Sequence, residues 1–501
     1  MNQPTCDLTL SPAGRRLRVA AGSALQDVLF EQGVEFPCGG RGRCKSCRVK
    51  LLKGRLQANA EETKLLTAVE LADGWRLACR HCIDGDLELE LAQWEMPILS
   101  DHSAFTFTPQ AGLGVAVDLG TTTIAAQLLD MGTGNVLAVA TALNAQARHG
   151  DDIITRVEFA LHGGQTELER LIREQLGRMI EHLLAAAAPE QSLARIVLVG
   201  NTVMHHLFCG IDVTPLATHP FEPEHPGRFR FSPSQLGWNF GEETMVEFLP
   251  CIGGLVGPDI LAGIVATGLH EGAGLAVLLD LGTNGEVVAG NRDKLLCTST
   301  AAGPAFEGAR ISMGMRAATG AISEVQLIDR AVVCRVIGSG APRGLCGSGL
   351  VDAVAAGLDL RWIEANGRMT LAGAMPLSGP VALLPQDVRE LQLAKGAIAA
   401  GLRILAARFG ATLADIQQLY LAGAFGNYIS RTSAQRIGLL RTPVDRIVPA
   451  GNTALLGAKR ALFEDAAAWD GLACRIEHVA LHEEPEFQDI FAEEMRFPET
   501  A

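Results

Sequence analysis

The sequence predicts two parts of different class. A small β-rich α+β domain spans residues 1–95, and an α/β body follows as two similar halves, 113–270 and 271–501. Three observations carry this expectation. Five of the twelve cysteines fall within 45 residues near the N-terminus. The composition turns Gly- and Ala-rich at about residue 113. Two stretches of the body, GVAVDLGTTTIAAQLLD (114–130) and LAVLLDLGTNGEVVAG (275–290), share one grammar.

In the first part, CDLTL and RRLRVA read as a hairpin and GSALQDVLFEQG as a short helix. CRVKLLKG is a strand after the cysteine loop, and DLELELA alternates apolar and acidic residues as a half-buried strand does. Residues 96–112 form a connector without clear periodicity. In the body, each echoed stretch has an apolar strand ending in Asp-Leu-Gly-Thr, a tight polar turn and a second apolar strand. Asp118 and Asp280 stand 162 residues apart, about one domain, which points to an internal repeat. Between them the pattern predicts an amphipathic helix over 167–186 and a strand over 196–200 that leads into NTVMHHLFCG. Gly-rich loops follow the second echo, then a long helix over 387–409 and a strand over 419–426 (LYLAGAFG).

Bulk properties exclude several function classes. A chain of 501 residues, 48% apolar and 20% charged, has material for sizeable cores. The net charge of -14 argues against a general nucleic-acid binder or a polybasic membrane-surface protein. No apolar run approaches the ~18 residues that span a bilayer, and MNQPTCDLTL has no secretory pattern. A soluble cytoplasmic protein is expected. Cys6, Cys209, Cys251, Cys297, Cys334, Cys346 and Cys474 are scattered singly and read as buried thiols acting as small hydrophobes.

The clustered cysteines follow Cys38-x5-Cys44-x2-Cys47-x31-Cys79. Four thiolates, three in one loop and one distant, suit a [2Fe–2S] cluster. Gly39, Gly40 and Gly42 would let the backbone wrap the inorganic sulfides and aim N–H groups at them. Two other readings compete. Cys44-x2-Cys47 with Cys79-x2-Cys82 is a zinc pattern of unusually wide spacing that leaves Cys38 idle. A CxxC redox pair lacks the βαβ context it would need. Residues 1–95 hold 13 Lys/Arg and 13 Asp/Glu, and Arg41, Arg43, Lys45, Arg48, Lys50, Lys53 and Arg55 cluster at the loop as a candidate docking face.

A Gly-Thr turn between strands offers N–H groups and hydroxyls to an anion, and a carboxylate just before it can hold a hydrated Mg²⁺ against that anion. Two such turns a domain apart could clamp a triphosphate, with one Mg²⁺ between Asp118 and Asp280. These two carboxylates are the candidate catalytic groups.

Resemblance adds to this reading. CGGRGRCKSC followed by RLAC (76–79) resembles adrenodoxin-like ferredoxins. That implies a β-grasp fold with Cys38, Cys44, Cys47 and Cys79 as ligands; Cys82, just outside the pattern, is the ambiguous member, read from its position as a bystander rather than a ligand. The paired turns resemble the actin, heat-shock chaperone and hexokinase ATPase superfamily, which implies a duplicated ribonuclease-H-like core that binds ATP. On that resemblance Asp118, Gly120, Thr121 and Thr122 serve the first phosphate motif. Asp280, Gly282, Thr283 and Asn284 serve the second, and Gly423 and Gly426 in LAGAFG serve the adenosine end.

Further stretches narrow the resemblance: NAQARHGDDIITRV (144–157), GNTVMHHLFCGIDVTPLA (200–217), PCIGGLVGPDI (250–260), STAAGPAFEGARISMGM (299–315), GLCGSGLVD (344–352) and GNTALLGA (451–458). Together with the cysteine loop they resemble the reductive activators of corrinoid proteins. The resemblance implies an ATP-dependent, one-electron reduction of protein-bound Co(II) corrinoid to Co(I) in a methyltransferase system. It also implies a corrinoid-protein partner, an upstream electron donor and a homodimer through the ATPase part. Longer members of that family carry a further domain between the two parts; here only some 17 residues separate them. Two alternatives are a nucleotide-gated electron donor to another low-potential enzyme and a sugar-kinase-like phosphotransferase with a redox-sensing domain. His205 and His206 invite a cobalt-ligand role but read as packing or hydrogen-bonding groups of a helix. Glu307 and Asp352 read equally as nucleotide-site or hinge residues and as capping acids at Gly-rich helix entries, and Lys395 as a lysine reaching from an apolar helix towards solvent.

Overall fold

The computed structural model describes residues 4–11, 15–30, 32, 34, 42, 47–91, 105–150, 152–187, 192–282, 284–308, 310–338 and 341–499. It divides into two compact units, residues 1–97 with 142–164, and residues 98–141 with 165–501.

The first unit is built on β1 (Thr5–Ser11), β2 (Arg15–Ala20), α1 (Leu25–Phe30), β3 (Arg48–Lys53), β4 (Trp75–Leu77) and β5 (Leu87–Leu91). Its five-stranded sheet runs β2-β1-β5-β3-β4. Period-two patterning fixes the register: Leu8 and Leu10 of β1, and Leu87, Leu89 and Leu91 of β5, face the core. β1 and β5 pair in parallel, whereas β1–β2, β3–β5 and β3–β4 are antiparallel. A parallel pair at the centre cannot be closed by a tight turn, so the connection must cross over, and the segment holding the cysteine loop lies on that crossover. This is the β-grasp arrangement. The stretch 142–164 belongs to the same unit and brings the Arg148 guanidinium to 4.9 Å from the Phe30 ring centroid of α1.

The second unit contains both echoes. Its first sheet consists of β6 (Leu113–Leu119), β7 (Thr123–Asp130), β8 (Val136–Leu143), β9 (Leu193–Gly200), β10 (Phe229–Phe231) and β11 (Met245–Phe248) in the order β8-β7-β6-β9-β11-β10. Its second consists of β12 (Ala276–Leu281), β13 (Gly285–Gly290), β14 (Leu295–Thr300), β15 (Gln418–Ala422), β16 (Ile447–Gly451) and β17 (Ile476–His478) in the order β16-β15-β12-β13-β14-β17. Without the outer strands β10 and β17, both sheets read third-second-first-fourth-fifth in chain order. That shared order is the ribonuclease-H-like duplication. In each half the first two strands are antiparallel and the fourth joins the first in parallel.

Helices finish each half. α2 (Gln165–Ala187), α3 (Thr202–Cys209) and α4 (Pro258–Thr267) belong to the first; α5 (Gly347–Asp359), α6 (Pro385–Phe409), α7 (Gly423–Tyr428) and α8 (Thr453–Ala461) belong to the second. α4 and α8 follow the fifth strand of their halves and cross at close range. A Cβ on Gly457 would lie 2.3 Å from the Ala262 carbonyl oxygen, so only glycine lets the backbones meet there. The strand expected over 419–426 ends at Ala422, because Gly423 at φ +81° turns the chain into α7. Lys395 does not reach solvent. It is fully buried in α6, and its Nζ donates to the Arg496 carbonyl at 2.8 Å, tying down the C-terminal segment. Among the described residues no helix is long and apolar enough to cross a membrane.

Candidate functional site: a cysteine loop and an acidic cleft

Cys38 and Cys44 lie outside the described residues. Cys47 is buried at the start of β3, and its Sγ lies 3.5 Å from that of Cys79. A disulfide would need about 2.05 Å, whereas two thiolates bonded to one metal at about 2.3 Å stand roughly 3.7 Å apart. The pair therefore fits a shared metal centre. Cys82 sits two residues beyond the turn that carries Cys79. It is exposed, in a two-residue strand paired with Ser23–Ala24, which favours Cys79 over Cys82 as the partner of Cys47.

Glu62 organises that turn from beneath. Its buried carboxylate accepts from the Leu77 N–H at 2.7 Å and the Asn59 N–H at 3.0 Å, and stands 2.8 Å from His81 Nε2. Burial opposes its charge, yet the bonds from His81, Leu77 and Asn59 hold the carboxyl below its usual value. The basic docking face is partly cancelled within the unit. Arg48 pairs with Glu70 at 3.1 Å and Lys50 with Asp73 at 2.8 Å, while Arg41, Arg43 and Lys45 lie outside the described residues.

In the second unit, Asp118 and Asp280 each stand one residue before the end of a first strand, at the tip of a hairpin. Each turn is closed from its glycine, over three residues in the first and two in the second: Gly120 N–H donates to the Thr123 carbonyl at 3.1 Å, and Gly282 N–H to the Asn284 carbonyl at 3.0 Å. Thr283 lies outside the described residues, and Thr122 is half-buried on the first turn. Two asparagines tie the first turn down. Asn201 caps α3 by accepting from the Met204 N–H, and its Nδ2 donates to Thr121 Oγ1 at 2.7 Å. Asn452 caps α8 by accepting from the Leu455 N–H, and its Nδ2 donates to Asp118 Oδ2 at 2.9 Å.

Four carboxyls share this cleft, each half-buried with protein around its inner sides. Burial lifts Asp118 to about 6, against the bond from Asn452. Burial and then the Asp118 charge lift Asp280 to about 7. Burial, then Asp280 and Asp118, lift Asp259 in the first turn of α4 to about 8. Glu286, directly across the hairpin from Asp280, is pushed well up by burial and then by Asp259 and Asp280. A cation placed among acids that raise one another's proton affinity in this way would offset their mutual repulsion. A divalent ion in an all-oxygen setting matches the donor set, as Mg²⁺ requires.

Gly423 borders the same cluster. A Cβ there would stand 2.6 Å from Asp280 Oδ1, so the LAGAFG backbone reaches the carboxylate itself. Gly426 instead faces Leu421 of the preceding strand, where a Cβ would meet its Cγ at 3.1 Å. Beside them Phe425 stacks on Phe306 with ring centroids 4.6 Å apart, and Gly347 packs against both. Three glycine-rich stretches distant in sequence thus meet at one edge of the cleft. Asp352 takes no part; it is buried in α5 and accepts from the Val325 N–H at 3.2 Å.

Sequence reasoning missed Asp259, Glu286, Asn201 and Asn452. A second echo could have found the asparagines, because Gly-Asn-Thr occurs at 200–202 and again at 451–453, each time entering a helix. Asn452→Ala is expected to cost about 1 kcal/mol through the lost cap and to weaken nucleotide binding through the loss of its hold on Asp118. Asn452→Ser, which keeps the cap, should recover the melting temperature and leave nucleotide affinity low; equal recovery of both would refute the second role.

Comparison with known proteins decides the family. The 2Fe-2S iron-sulfur cluster binding domain matches residues 8–84, the RACo middle region matches 113–272, and the C-terminal domain of RACo, the ASKHA domain, matches 274–501. The corrinoid activation enzyme RamQ of Eubacterium limosum is 33% identical over 414 residues, covering 75% of this chain and 69% of RamQ. The chain belongs to the RACo family of corrinoid reductive activators. A second relative, the [Co(II) methylated amine-specific corrinoid protein] reductase of Methanosarcina barkeri, is 27% identical over 385 residues, 70% of each chain. The solved structure of a reductive activator for corrinoid, iron-sulfur protein superposes with a TM-score of 0.67 at 25% identity, covering 99% of both chains. As in that family, an iron–sulfur domain precedes an ASKHA, or actin- and hexokinase-like, body, and the fold expected from the sequence is the one observed.

Proposed function

We propose that this RACo-family chain is an ATP-dependent reductive activator that returns a protein-bound corrinoid from Co(II) to Co(I) by one electron, in a methyltransferase system. The observation that carries the reading is the presence in one chain of a Cys47–Cys79 thiol pair in an iron–sulfur domain and a four-carboxylate cleft at paired Asp-Leu-Gly-Thr turns. Cys38, Cys44, Cys47 and Cys79 would hold the [2Fe–2S] cluster. Asp118 and Asp280 would hold Mg²⁺ with Asp259 beside them, and Gly120, Thr121, Thr122, Gly282, Thr283 and Asn284 would line the phosphates. Gly423 would bring the LAGAFG backbone to the nucleotide, with Gly426 seating that segment on its strand. When bound, the cluster supplies the electron and the Mg²⁺–nucleotide supplies the free energy for an uphill step.

The chain's own part is to make nucleotide binding depend on conformation. Asp118 and Asp280 come from opposite halves, so a ligand touching both turns favours one arrangement of the halves over another. That preference bounds what the nucleotide can do, since a ligand shifts an equilibrium only by its differential affinity. For a one-electron step, each tenfold preference is worth about 59 mV. A preference of about 10⁴, within reach of a triphosphate gripped from two sides, would therefore cover roughly 240 mV. An upstream donor must recharge the cluster after each transfer.

The test mixes reduced protein, Mg-ATP and a Co(II) corrinoid protein from the same organism without oxygen and follows the Co(I) absorption band. Co(I) should rise above its level without ATP. If no corrinoid protein of that organism responds, the reading fails.

A further inference from the structure

Helix α3 is buried along its length, and it carries two adjacent histidines at 0% and 1% exposure. His206 Nδ1 lies 2.9 Å from the Thr202 carbonyl and 3.3 Å from His205 Nδ1, so it holds the proton and donates, which leaves its own Nε2 and the facing His205 Nδ1 with lone pairs. The Nε2 atoms of both His205 and His206 are buried without a hydrogen-bond partner. An orphaned buried polar atom costs about 1–3 kcal/mol, so two on neighbouring residues call for an explanation. Burial also keeps both imidazoles neutral at physiological pH.

Cys251 closes the group. It follows β11, is 4% exposed and carries a free thiol, and its N–H donates to the Pro226 carbonyl at 2.7 Å, which fixes the loop there. One ligand atom each from His205, His206 and Cys251 lies within 4.8 Å of the other two. Two imidazoles and a thiol form a borderline-soft donor set that suits zinc and is wrong for Mg²⁺ or Ca²⁺. The Thr202 carbonyl on His206 Nδ1 is the outer partner that usually orients a metal-bound imidazole. His205 and His206 therefore do more than pack a helix, and Cys251 more than fill space.

We infer that His205, His206 and Cys251 form a buried site for a zinc-class divalent ion. Binding replaces the Cys251 S–H proton, which leaves to solvent, by a metal–thiolate bond, with no change of oxidation state. The ion would fasten α3 to the segment that leads into α4. Those two elements carry Asn201 at the first turn and Asp259 in the acidic cleft, so the site would brace the cleft from behind.

The full chain, grown with zinc and purified with its iron–sulfur cluster, should hold about one zinc beside its iron by elemental mass spectrometry. Zinc-edge X-ray absorption should show nitrogen at about 2.0 Å and a single sulfur at about 2.3 Å. Cys251→Ala should lose the zinc and keep the iron and the cluster's visible spectrum. If that variant does not fold, His205→Phe makes the same test, because His205 already packs edge-on against Phe229 and Phe248. An all-sulfur shell would place the zinc in the cysteine loop and overturn the inference. So would zinc retained by a folded variant, or none bound after dialysis against excess zinc.

Discussion

Asp280→Asn is expected to abolish nucleotide-dependent corrinoid reduction while making the nucleotide-free protein more stable at pH 8. The first effect, a fall of about 10²-fold or more, follows from removing a charge placed where a cation and phosphates must be held. The second follows from linkage. The folded-state values of Asp118, Asp280 and Asp259, about 6, 7 and 8, all lie above the ordinary aspartate value of 3.8. Groups raised in the fold contribute stability that is complete below pH 3.8 and is lost as pH rises through 6 to 8. The wild type without ligand should therefore melt at progressively lower temperature between pH 5 and pH 8.5. Asparagine at 280 removes one such group and lowers the proton affinity of Asp259, whose burden includes the Asp280 charge. Its profile should be flatter, with a gain on the order of 1–3 kcal/mol at pH 8. Mg²⁺ should narrow the gap by supplying the charge the wild-type cluster lacks. Melting curves of the two proteins that run parallel across that pH range would show that the four acids do not share a site.

Cys79→Ser is expected to lose the cluster's visible absorption and all Co(I) formation, whereas Cys82→Ser should keep both. The 3.5 Å approach of the Cys47 and Cys79 sulfurs favours Cys79 as the distant ligand, and Cys82 is exposed on a strand edge. Losing one of four thiolates leaves an iron with an open position, and a serine oxygen is a harder donor that binds less well. Nucleotide binding is the control: Cys79→Ser should bind Mg-ATP as the wild type does, since that site is assembled from the second unit alone. A Cys82→Ser protein that loses its iron, or a Cys79→Ser protein that keeps a full cluster spectrum, would reverse the assignment.

Much of this was legible in the sequence because the informative features are local. Alternation in DLELELA and an apolar strand running into Asp-Leu-Gly-Thr each sit within one window, and each marks the element found there. The repeat was visible for the same reason, since both copies keep their turn chemistry. What stayed hidden was three-dimensional. Asp259 stands 21 residues before Asp280 in sequence and joins it only because α4 starts at the cleft. Glu286 looked like one polar residue in a strand until the hairpin register set it opposite Asp280. Gly423 reads from its motif as serving the adenosine end, but the backbone turn that also carries it against Asp280 is encoded in no spacing. Lys395 looked destined for solvent because its neighbours in α6 gave no sign of the C-terminal carbonyl that captures it.

The crossing of α4 and α8 bears on how the halves can move. Where Gly457 rests on Ala262, a Cβ would meet the Ala262 carbonyl oxygen at 2.3 Å and the Ala262 Cβ at 2.5 Å, so main chain meets main chain there beside a single methyl group that has no rotamers. Meshed ridges must unlock, rotamer by rotamer, before two helices can shift. A bare contact behaves more like a journal in a bearing, and sliding there requires no rotamer to change. The helix on one side begins with Asp259 and the helix on the other is capped by the asparagine that grips Asp118. The axle of the machine and the hands on its load are then the same two helices, and a bulkier residue at 457 would seize both.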